Sequence, residues 1–286
     1  MREEQRVNIH AIQTGTVSIH TAQQEGKGHG ASRQLNMLLD RAWTNPLPIY
    51  AWAIEHPEGV ILVDTGETAQ STRPGYFPRW HPYFLLAVRT HVRPEEEIGP
   101  QLRTLGISPT DVRTVVMTHL HTDHAGGLRS FPKSEILVAR GEYNRAAGFK
   151  GILNGYPSNR WPSWFTPTSI SFMTMRPEPF GPFGESVKVT RAGDVTIIPT
   201  PGHTPAHVSV VVQDGGDTIF LAGDVSYTQA LMLRERVDGV APDEAVARET
   251  LGKVRDFVLA QPTVYVTAHD PESSVRLAKR AIVKVA

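Results

Sequence analysis

The sequence contains, at residues 118–127, the stretch Thr118-His119-Leu120-His121-Thr122-Asp123-His124-Ala125-Gly126-Gly127. Three histidines and one aspartate, all residue types that ligate metals, fall within six consecutive positions of it. Any one of them alone would more often be a surface or core residue, but the four together indicate a metal site. The preceding Val115, Val116 and Met117 predict a short buried strand. The ligands would then follow the carboxyl end of that strand, where rigid scaffolds usually carry functional residues.

The spacing within this motif offers half of two metal sites. His119 and His121 are two residues apart and can face one ion, whereas Asp123 and His124 can turn toward a second. Neutral imidazole suits divalent first-row metals such as zinc, iron or cobalt, and a carboxylate adds a harder oxygen ligand. Two ions need more ligands than these four, so further ligands are expected elsewhere in the chain.

Composition excludes several classes of partner. The chain has 286 residues, 40% of them hydrophobic, which suffices for one large core, and no internal repeat divides it. We therefore predict a single domain over residues 1–286. The formal net charge is zero without a long basic run, which argues against nucleic acid and membrane surfaces as partners. Cysteine is absent, so disulfides, thiolate ligands and a cysteine nucleophile are excluded.

The amino terminus gives no sign of a targeting segment. Residues 1–6 are mostly charged or polar and no apolar segment follows them, and no run of 18 apolar residues occurs in the sequence. These features predict a soluble, cytoplasmic protein.

Three more predicted strands end in ligand-type residues. The strand 195–198 leads to His203, the hairpin 208–221 leads to Asp224, and the strand 263–267 leads to His269. Before the motif, one or two strands are predicted over residues 7–20, a plain loop over 24–30, and a hairpin of 49–54 and 60–63 that ends at Asp64. A strand is also predicted at 135–139, and helices at 94–105, 141–147 and 242–260.

Two aromatic and proline-rich segments, residues 71–93 and 148–186, lack clean helical or strand periodicity and are interpreted as insertions. Each could be a satellite cluster under a long loop. Alternatively, each could form an apolar wall or lid over a pocket, or an oligomer contact. The sequence does not distinguish between these interpretations.

The order His-x-His-x-Asp-His, Gly-His, Gly-Asp and a late His resembles the metallo-β-lactamase superfamily of hydrolases, from Asp64 to His269. The resemblance implies an α/β fold of the αβ/βα sandwich type. It also implies two divalent transition-metal ions, with zinc the first choice and iron or cobalt as alternatives. The implied ligands are His119, His121 and His203 for one ion, Asp123, His124 and His269 for the other, and Asp224 for both.

Two further stretches, Thr200 to Pro205 and Gly223 to Thr228, resemble the N-acyl-homoserine-lactone lactonases that quench quorum sensing. In that family the tyrosine that corresponds to Tyr227 faces the substrate. One departure concerns Thr122, because Bacillus-type lactonases are associated with an aromatic residue at this position. The shape of the acyl-chain pocket therefore stays open.

The implied reaction is opening of a lactone ring by a hydroxide that bridges the two metal ions. The Tyr227 phenol would donate a hydrogen bond to the developing oxyanion, and Asp123 would carry a proton to the departing ring oxygen. Asp64 would orient a ligand histidine through its second ring nitrogen. The alternatives are core packing for Tyr227 and a strand-end turn for Asp64. The expected partner is a small-molecule lactone, and a homodimer is left open.

The same residues suggest two other functions. The same site could hydrolyse aryl phosphotriesters, as the similar methyl parathion hydrolases do. A purely structural metal centre is disfavoured, because structural zinc sites are usually closed by four ligands. The remaining histidines are interpreted as surface or core residues, with His207 the first candidate for an exception; they are His10, His20, His29, His56, His81, His91 and His207.

Overall fold

The structure is a computed structural model that describes residues 7–284, so the charged segment 1–6 lies outside the described residues. The strands are β1 (Asn8–Ile19), β2 (Leu47–His56), β3 (Gly59–Val63), β4 (Val88–His91), β5 (Val112–Val116), β6 (Glu135–Val138), β7 (Ser171–Phe172), β8 (Val187–Lys188), β9 (Val195–Pro199), β10 (Val208–Asp214), β11 (Asp217–Leu221) and β12 (Thr263–Val266). The helices are α1 (Thr21–Gln24), α2 (Ala31–Leu39), α3 (Pro82–Leu86), α4 (Ile98–Thr104), α5 (Thr122–Ala125), α6 (Arg140–Ala146), α7 (Gly148–Leu153), α8 (Gln229–Leu233), α9 (Glu244–Ala260) and α10 (Ser273–Lys279).

The strands form two mixed sheets. The first has the order β4-β1-β2-β3-β5-β6-β7, antiparallel from β4 to β3 and parallel from β3 to β7. The second has the order β12-β11-β10-β9-β8, with only β11 and β12 parallel. In both sheets, therefore, several strands end at the same edge, and their carboxyl-terminal loops can meet there.

Apolar side chains fill three layers of this fold. Between the sheets, Trp52, Val63 and Val116 of the first sheet pack with Val210 and Val264 of the second. The outer face of the first sheet is covered by a cluster that includes Ile98 and Leu102 of α4, and the outer face of the second by Leu251, Val254 and Val258 of α9. The layers run helix, sheet, sheet, helix, which confirms the predicted αβ/βα sandwich.

Helix α9 follows the predicted boundaries closely. Asp243 caps its amino terminus by accepting hydrogen bonds from the backbone of Ala245 and Val246. Within residues 7–284, neither this helix nor any other is long and apolar enough to cross a bilayer.

The structure adds elements that the sequence did not predict. Residues 88–91, within the predicted insertion 71–93, form β4 and pair with Thr16–Ile19 of β1 at the edge of the first sheet. Helix α2 begins directly after the predicted loop 24–30, helix α8 precedes α9, and helix α10 follows the last strand. The region 7–20 forms one strand, β1, which has a register shift between Gln13 and Thr16.

Candidate metal centre

The structure brings all the predicted metal-ligand residues together at one edge of the sandwich. Each follows a strand: the 118–124 motif follows β5, and the other three follow β9, β11 and β12. We refer to these residues as the His/Asp cluster, which consists of His119, His121, Asp123, His124, His203, Asp224 and His269.

The first part of the cluster is a triangle of imidazole nitrogens. His121 Nδ1 lies 3.0 Å from His119 Nε2 and 3.0 Å from His203 Nε2. All three nitrogens are within 4.8 Å of one another. Three histidine nitrogens that converge in this way match the protein ligands of a catalytic zinc site, which leaves the fourth position for water or substrate.

The second part combines one carboxylate and two imidazoles. His269 Nε2 lies 3.4 Å from Asp123 Oδ2, and His124 Nε2 lies 4.0 Å from Asp123 Oδ1. Both histidines are buried, whereas the Asp123 side chain keeps 18% of its surface exposed. Asp123 is therefore the member of this group that can also reach a substrate.

Asp224 lies between the two parts. Its Oδ2 is 3.4 Å from His203 Nε2 on one side and 3.4 Å from His269 Nε2 on the other, and its Oδ1 is 3.4 Å from His124 Nε2. His124 Nε2 and Asp224 Oδ1 are buried and have no hydrogen-bond partner within residues 7–284. Buried polar atoms without partners are rare, so a cation between them would satisfy an otherwise costly arrangement.

Outward hydrogen bonds hold four of the rings with Nε2 toward the cluster. The Nδ1 atoms contact oxygens at 2.8–3.1 Å. The pairs are His119 with Thr118 Oγ1, His124 with Asp64 Oδ2, His203 with Asp238 Oδ2 and His269 with the Pro48 carbonyl. Such contacts set the tautomer and leave the Nε2 lone pair for a metal. The residues present therefore fit divalent metal ions.

Asp64 orients a ligand-type histidine, as the sequence predicted. Its carboxylate lies 2.8 Å from His124 Nδ1 and also accepts hydrogen bonds from the backbone and hydroxyl of Thr118 at 2.8 and 2.7 Å. Its φ of 60° is unusual for a residue other than glycine. This strained turn at the end of β3 ties the ends of β3 and β5 together under the cluster.

Sequence reasoning missed two buried carboxylates beside the cluster. Asp238 contacts His203, and its Oδ1 also accepts from the backbone of Val240 and Ala241 at 2.8 and 2.7 Å. Glu142 accepts hydrogen bonds from the Leu120 backbone at 3.1 Å and from Thr204 Oγ1 at 2.8 Å. It thereby joins the loop after β5 to the loop after β9.

His207, the first candidate for a further metal ligand among the remaining histidines, is buried next to the cluster, but both of its ring nitrogens contact other groups. Its Nε2 accepts a hydrogen bond from the Asp224 backbone at 3.1 Å, and its Nδ1 lies 2.9 Å from Thr200 Oγ1. Burial lowers the pKa of His207 to about 3, which keeps the ring neutral and able to accept. Gly223 has a φ of 56°, and a Cβ there would lie 2.8 Å from His207 Nε2, so glycine is required.

A cavity of about 400 Å³ opens above the cluster. The side chains of His121, Asp123, His203 and Asp224 reach it, and Tyr227 lines it as well. Residues from both predicted insertions form part of its apolar wall, which agrees with one of the two interpretations of these segments. The apolar lining includes Val17, Met37, Leu38, Trp80, Phe84 and Leu153. His81, interpreted as surface or core, is buried and also lines the cavity.

Thr122 also lines the cavity, at the position of the predicted departure. Its hydroxyl donates to Glu67 Oε2 at 2.8 Å. Burial raises the pKa of the Glu67 carboxyl to about 8, and the nearby Asp123 charge acts in the same direction. Where an aromatic ring was expected from the resemblance, the chain therefore has a small polar side chain bound to a buried glutamate.

Comparison with known proteins agrees with this geometry. The profile of the Metallo-beta-lactamase superfamily matches residues 44–269, a range that contains the whole His/Asp cluster. The chain belongs to the metallo-β-lactamase superfamily, and it is a hydrolase of that superfamily.

Its relatives include proteins named as lactonases. The N-acyl homoserine lactonase AttM of Rhizobium radiobacter is 26% identical over 279 residues, which cover 93% of this chain and 94% of the relative. An N-acyl homoserine lactonase of Bacillus cereus is 25% identical over 253 residues, covering 82% and 90% of the two chains.

Solved structures share the fold. An N-acyl homoserine lactone hydrolase with N-hexanoyl-L-homoserine at its catalytic metal centre superposes with a TM-score of 0.70 at 21% identity, covering 95% of each chain. The dizinc quorum-quenching lactonase AidC superposes with a TM-score of 0.63 at 15% identity, covering 93% of this chain and 88% of its own.

Proposed function

We propose that this protein opens the lactone ring of N-acyl homoserine lactones with the help of two divalent metal ions. One observation carries the proposal: the His/Asp cluster borders a cavity whose lining is largely apolar and includes Tyr227. In such a cavity the polar lactone ring would lie beside the metal-ligand residues, and the acyl chain would contact the apolar walls. Relatives named as lactonases, which match over most of their length, support the choice of substrate.

The cluster would hold the ions in two adjacent sites. His119, His121 and His203 would hold one, and Asp123, His124 and His269 the other. Asp224 would contact both, because its carboxylate already lies 3.4 Å from histidines of each group. When bound, ions at such a centre lower the pKa of water toward 7 and polarise a carbonyl oxygen. We expect zinc, with iron or cobalt as alternatives, because imidazole and carboxylate ligands suit all three.

Two residues of the chain would act on the substrate itself. Tyr227 is 3% exposed and stacks on His269 with ring centroids 5.4 Å apart, so its phenol is held at the edge of the cluster. Burial raises the pKa of this phenol well above its ordinary value, and the Asp224 charge adds to the effect. The hydroxyl therefore keeps its hydrogen and can donate it to the carbonyl oxygen as negative charge develops there.

Asp123 would move the proton that completes the reaction. As the carbon–oxygen bond of the ring breaks, the departing ring oxygen needs a proton, and Asp123 is the partly exposed carboxylate of the cluster that lines the cavity. A carboxylate at this position can receive the proton of the attacking water and pass it to the ring oxygen. The product is the open-chain N-acyl homoserine.

The test is a pH-indicator assay of the purified protein together with metal analysis. We expect close to two divalent ions per chain and turnover of both N-hexanoyl and N-decanoyl homoserine lactone, since apolar walls discriminate weakly between chain lengths. A sharp optimum at a single chain length would contradict this expectation. Paraoxon serves as the competing substrate. Turnover of paraoxon far above that of the lactones would replace this proposal with a phosphotriesterase.

A pair of matched variants assigns the activity to the cluster. Asp224→Asn should abolish turnover, whereas Asp214→Asn changes a buried aspartate that contacts Arg280 at the far end of β10 and should retain it. Full activity of Asp224→Asn would refute the proposed site.

A further inference from the structure

The amide of Gln23 connects two tyrosines in the wall of the cavity. Gln23, on α1, is 4% exposed, and its Nε2 donates to the phenol oxygen of Tyr83 at 3.1 Å and to that of Tyr227 at 3.0 Å. All three side chains line the cavity above the His/Asp cluster. Tyr83 belongs to the aromatic segment 71–93, for which the sequence indicated no chemical role.

The direction of these bonds decides what the phenols can do. A side-chain amide nitrogen carries two hydrogens, and here each goes to a different phenol oxygen. Both phenols are acceptors toward Gln23, and within residues 7–284 neither hydroxyl donates to another group. A phenol with an ordinary pKa near 10 keeps its hydrogen at neutral pH. Each tyrosine therefore has one O–H available for a molecule in the cavity.

The two hydroxyls are close enough to bind one substrate. Each phenol oxygen is near 3 Å from the same nitrogen, so the two oxygens are at most about 6 Å apart. An N-acyl homoserine lactone has two carbonyl groups, one in the ring and one in the amide, whose carbons are separated by two atoms. Two donors at this spacing match two acceptors of that kind.

We propose that Gln23 is a positioning residue that presents a pair of donors, Tyr227 to the ring carbonyl and Tyr83 to the amide carbonyl of the acyl chain. This assignment rests on the proposed lactonase function. Tyr83 would then be a specificity-determining residue that recognises lactones with an acylamino substituent.

The backbone around Gln23 is well anchored, as a positioning role requires. The neighbouring Ala22 backbone and Thr21 hydroxyl both donate to Asp40 Oδ2 at 2.7 Å, and the Gln23 carbonyl accepts from the Gly239 backbone at 2.8 Å. The backbone that carries the Gln23 side chain is thus held by contacts that do not involve the cavity. Substituting the side chain would leave these backbone contacts in place.

The test compares N-hexanoyl homoserine lactone with γ-butyrolactone, which has the ring carbonyl but no amide. Tyr83→Phe should lower kcat/KM about 10-fold for the acylated substrate, the value of one hydrogen bond, and leave γ-butyrolactone unchanged. Gln23→Met should lower kcat/KM for both substrates, because both phenols lose their anchor. Adding Tyr83→Phe to Gln23→Met should then cost less than Tyr83→Phe alone.

Tyr50→Phe is the matched control, because the Tyr50 phenol donates to Ser274 Oγ at 3.0 Å and does not line the cavity. It should match the wild type on both substrates. Metal content and melting temperature of every variant show whether folding and ion binding are intact.

Two results would overturn the assignment. If Tyr83→Phe lowers kcat/KM equally for both substrates, Tyr83 does not recognise the amide. If Tyr83→Phe and Gln23→Met change neither substrate, the amide oxygen rather than the nitrogen faces the phenols, or the pair only packs. In both cases wild-type turnover of the lactones would leave the proposed function standing. Absence of wild-type turnover of both lactones would instead refute the function, and this assignment with it.

Discussion

Replacing Asp238 with asparagine tests how strongly a contact behind the cluster controls metal binding. Asp238 Oδ2 lies 2.8 Å from His203 Nδ1, while its Oδ1 accepts from two backbone amides at 2.8 and 2.7 Å. In Asp238→Asn the single oxygen would stay with the two backbone donors. The new NH₂ group would then face His203 Nδ1 and force the ring hydrogen onto Nε2, the atom that faces the cluster. A protonated Nε2 cannot ligate a metal.

The expected loss is about 10- to 100-fold in metal affinity, or about 1.4–2.8 kcal/mol, the range typical of a carboxylate behind a ligand histidine. Because the backbone hydrogen bonds survive, the metal-free variant should melt close to the metal-free wild type. The assay is competition between the metal-loaded protein and a chelator, followed by metal analysis.

Asp214→Asn is the control, since Asp214 is equally buried but accepts from the Val7 backbone at 2.9 Å, far along the sheet. It should lower the melting temperature and leave the chelator midpoint unchanged. If Asp238→Asn retains the wild-type chelator midpoint, the contact with Asp238 does not set the tautomer of His203.

Three further outcomes are expected. Tyr227→Phe should lower kcat on lactones by about 10- to 1000-fold with both ions retained, and a kinetically silent variant would make Tyr227 a packing residue. Asp224→Ala should lose metal together with activity, and retention of two ions per chain would show that Asp224 does not join the sites. Burial alone would raise the pKa of Asp40, but hydrogen bonds from Thr21, Ala42 and Ala22 outweigh it and hold that pKa well below its ordinary value. The ionised Asp40 therefore stabilises the fold above its unfolded pKa of about 3.8, and this stabilisation is lost as the pH falls. The difference in melting temperature between wild type and Asp40→Asn should shrink below about pH 4, and a constant difference would contradict this.

The strands and the ligand residues could be predicted because their signals are local, and the family resemblance then implied the sandwich. Each ligand follows a short, mostly apolar run between turn signals, and such a run predicts a strand. The order of the ligands then indicated the family. The seven side chains could be named without knowing how the strands pair.

Other parts of the site depend on contacts between distant segments. Gln23 and Tyr227 are 204 residues apart in sequence, and Asp238 and His203 are 35 apart. A single glutamine or aspartate belongs to no sequence pattern that would predict such a partner. Strand β4 was missed for a similar reason, because four half-exposed residues become a strand only through pairing with β1.

Helix α2 was missed because its ends carry none of the usual signals. Its first residue follows Gly30, which has no side chain to cap it, and it has no acidic residue in the first turn and no basic residue in the last. Its side chains Met37 and Leu38 line the cavity, so a helix without the usual sequence signals contributes to the apolar wall.

The ligands of the proposed ions come from both sheets, so metal binding would affect the stability of the folded protein in a cell. His121 follows the first sheet, and His203, Asp224 and His269 follow the second, so each ion would cross-link the two halves of the sandwich. An ion that binds only the folded chain adds about 2.7 kcal/mol of stability at a concentration 100 times its dissociation constant. A cell short of that metal would therefore hold less of the folded enzyme, because unfolded chains are removed by proteases, as well as enzyme that is less active.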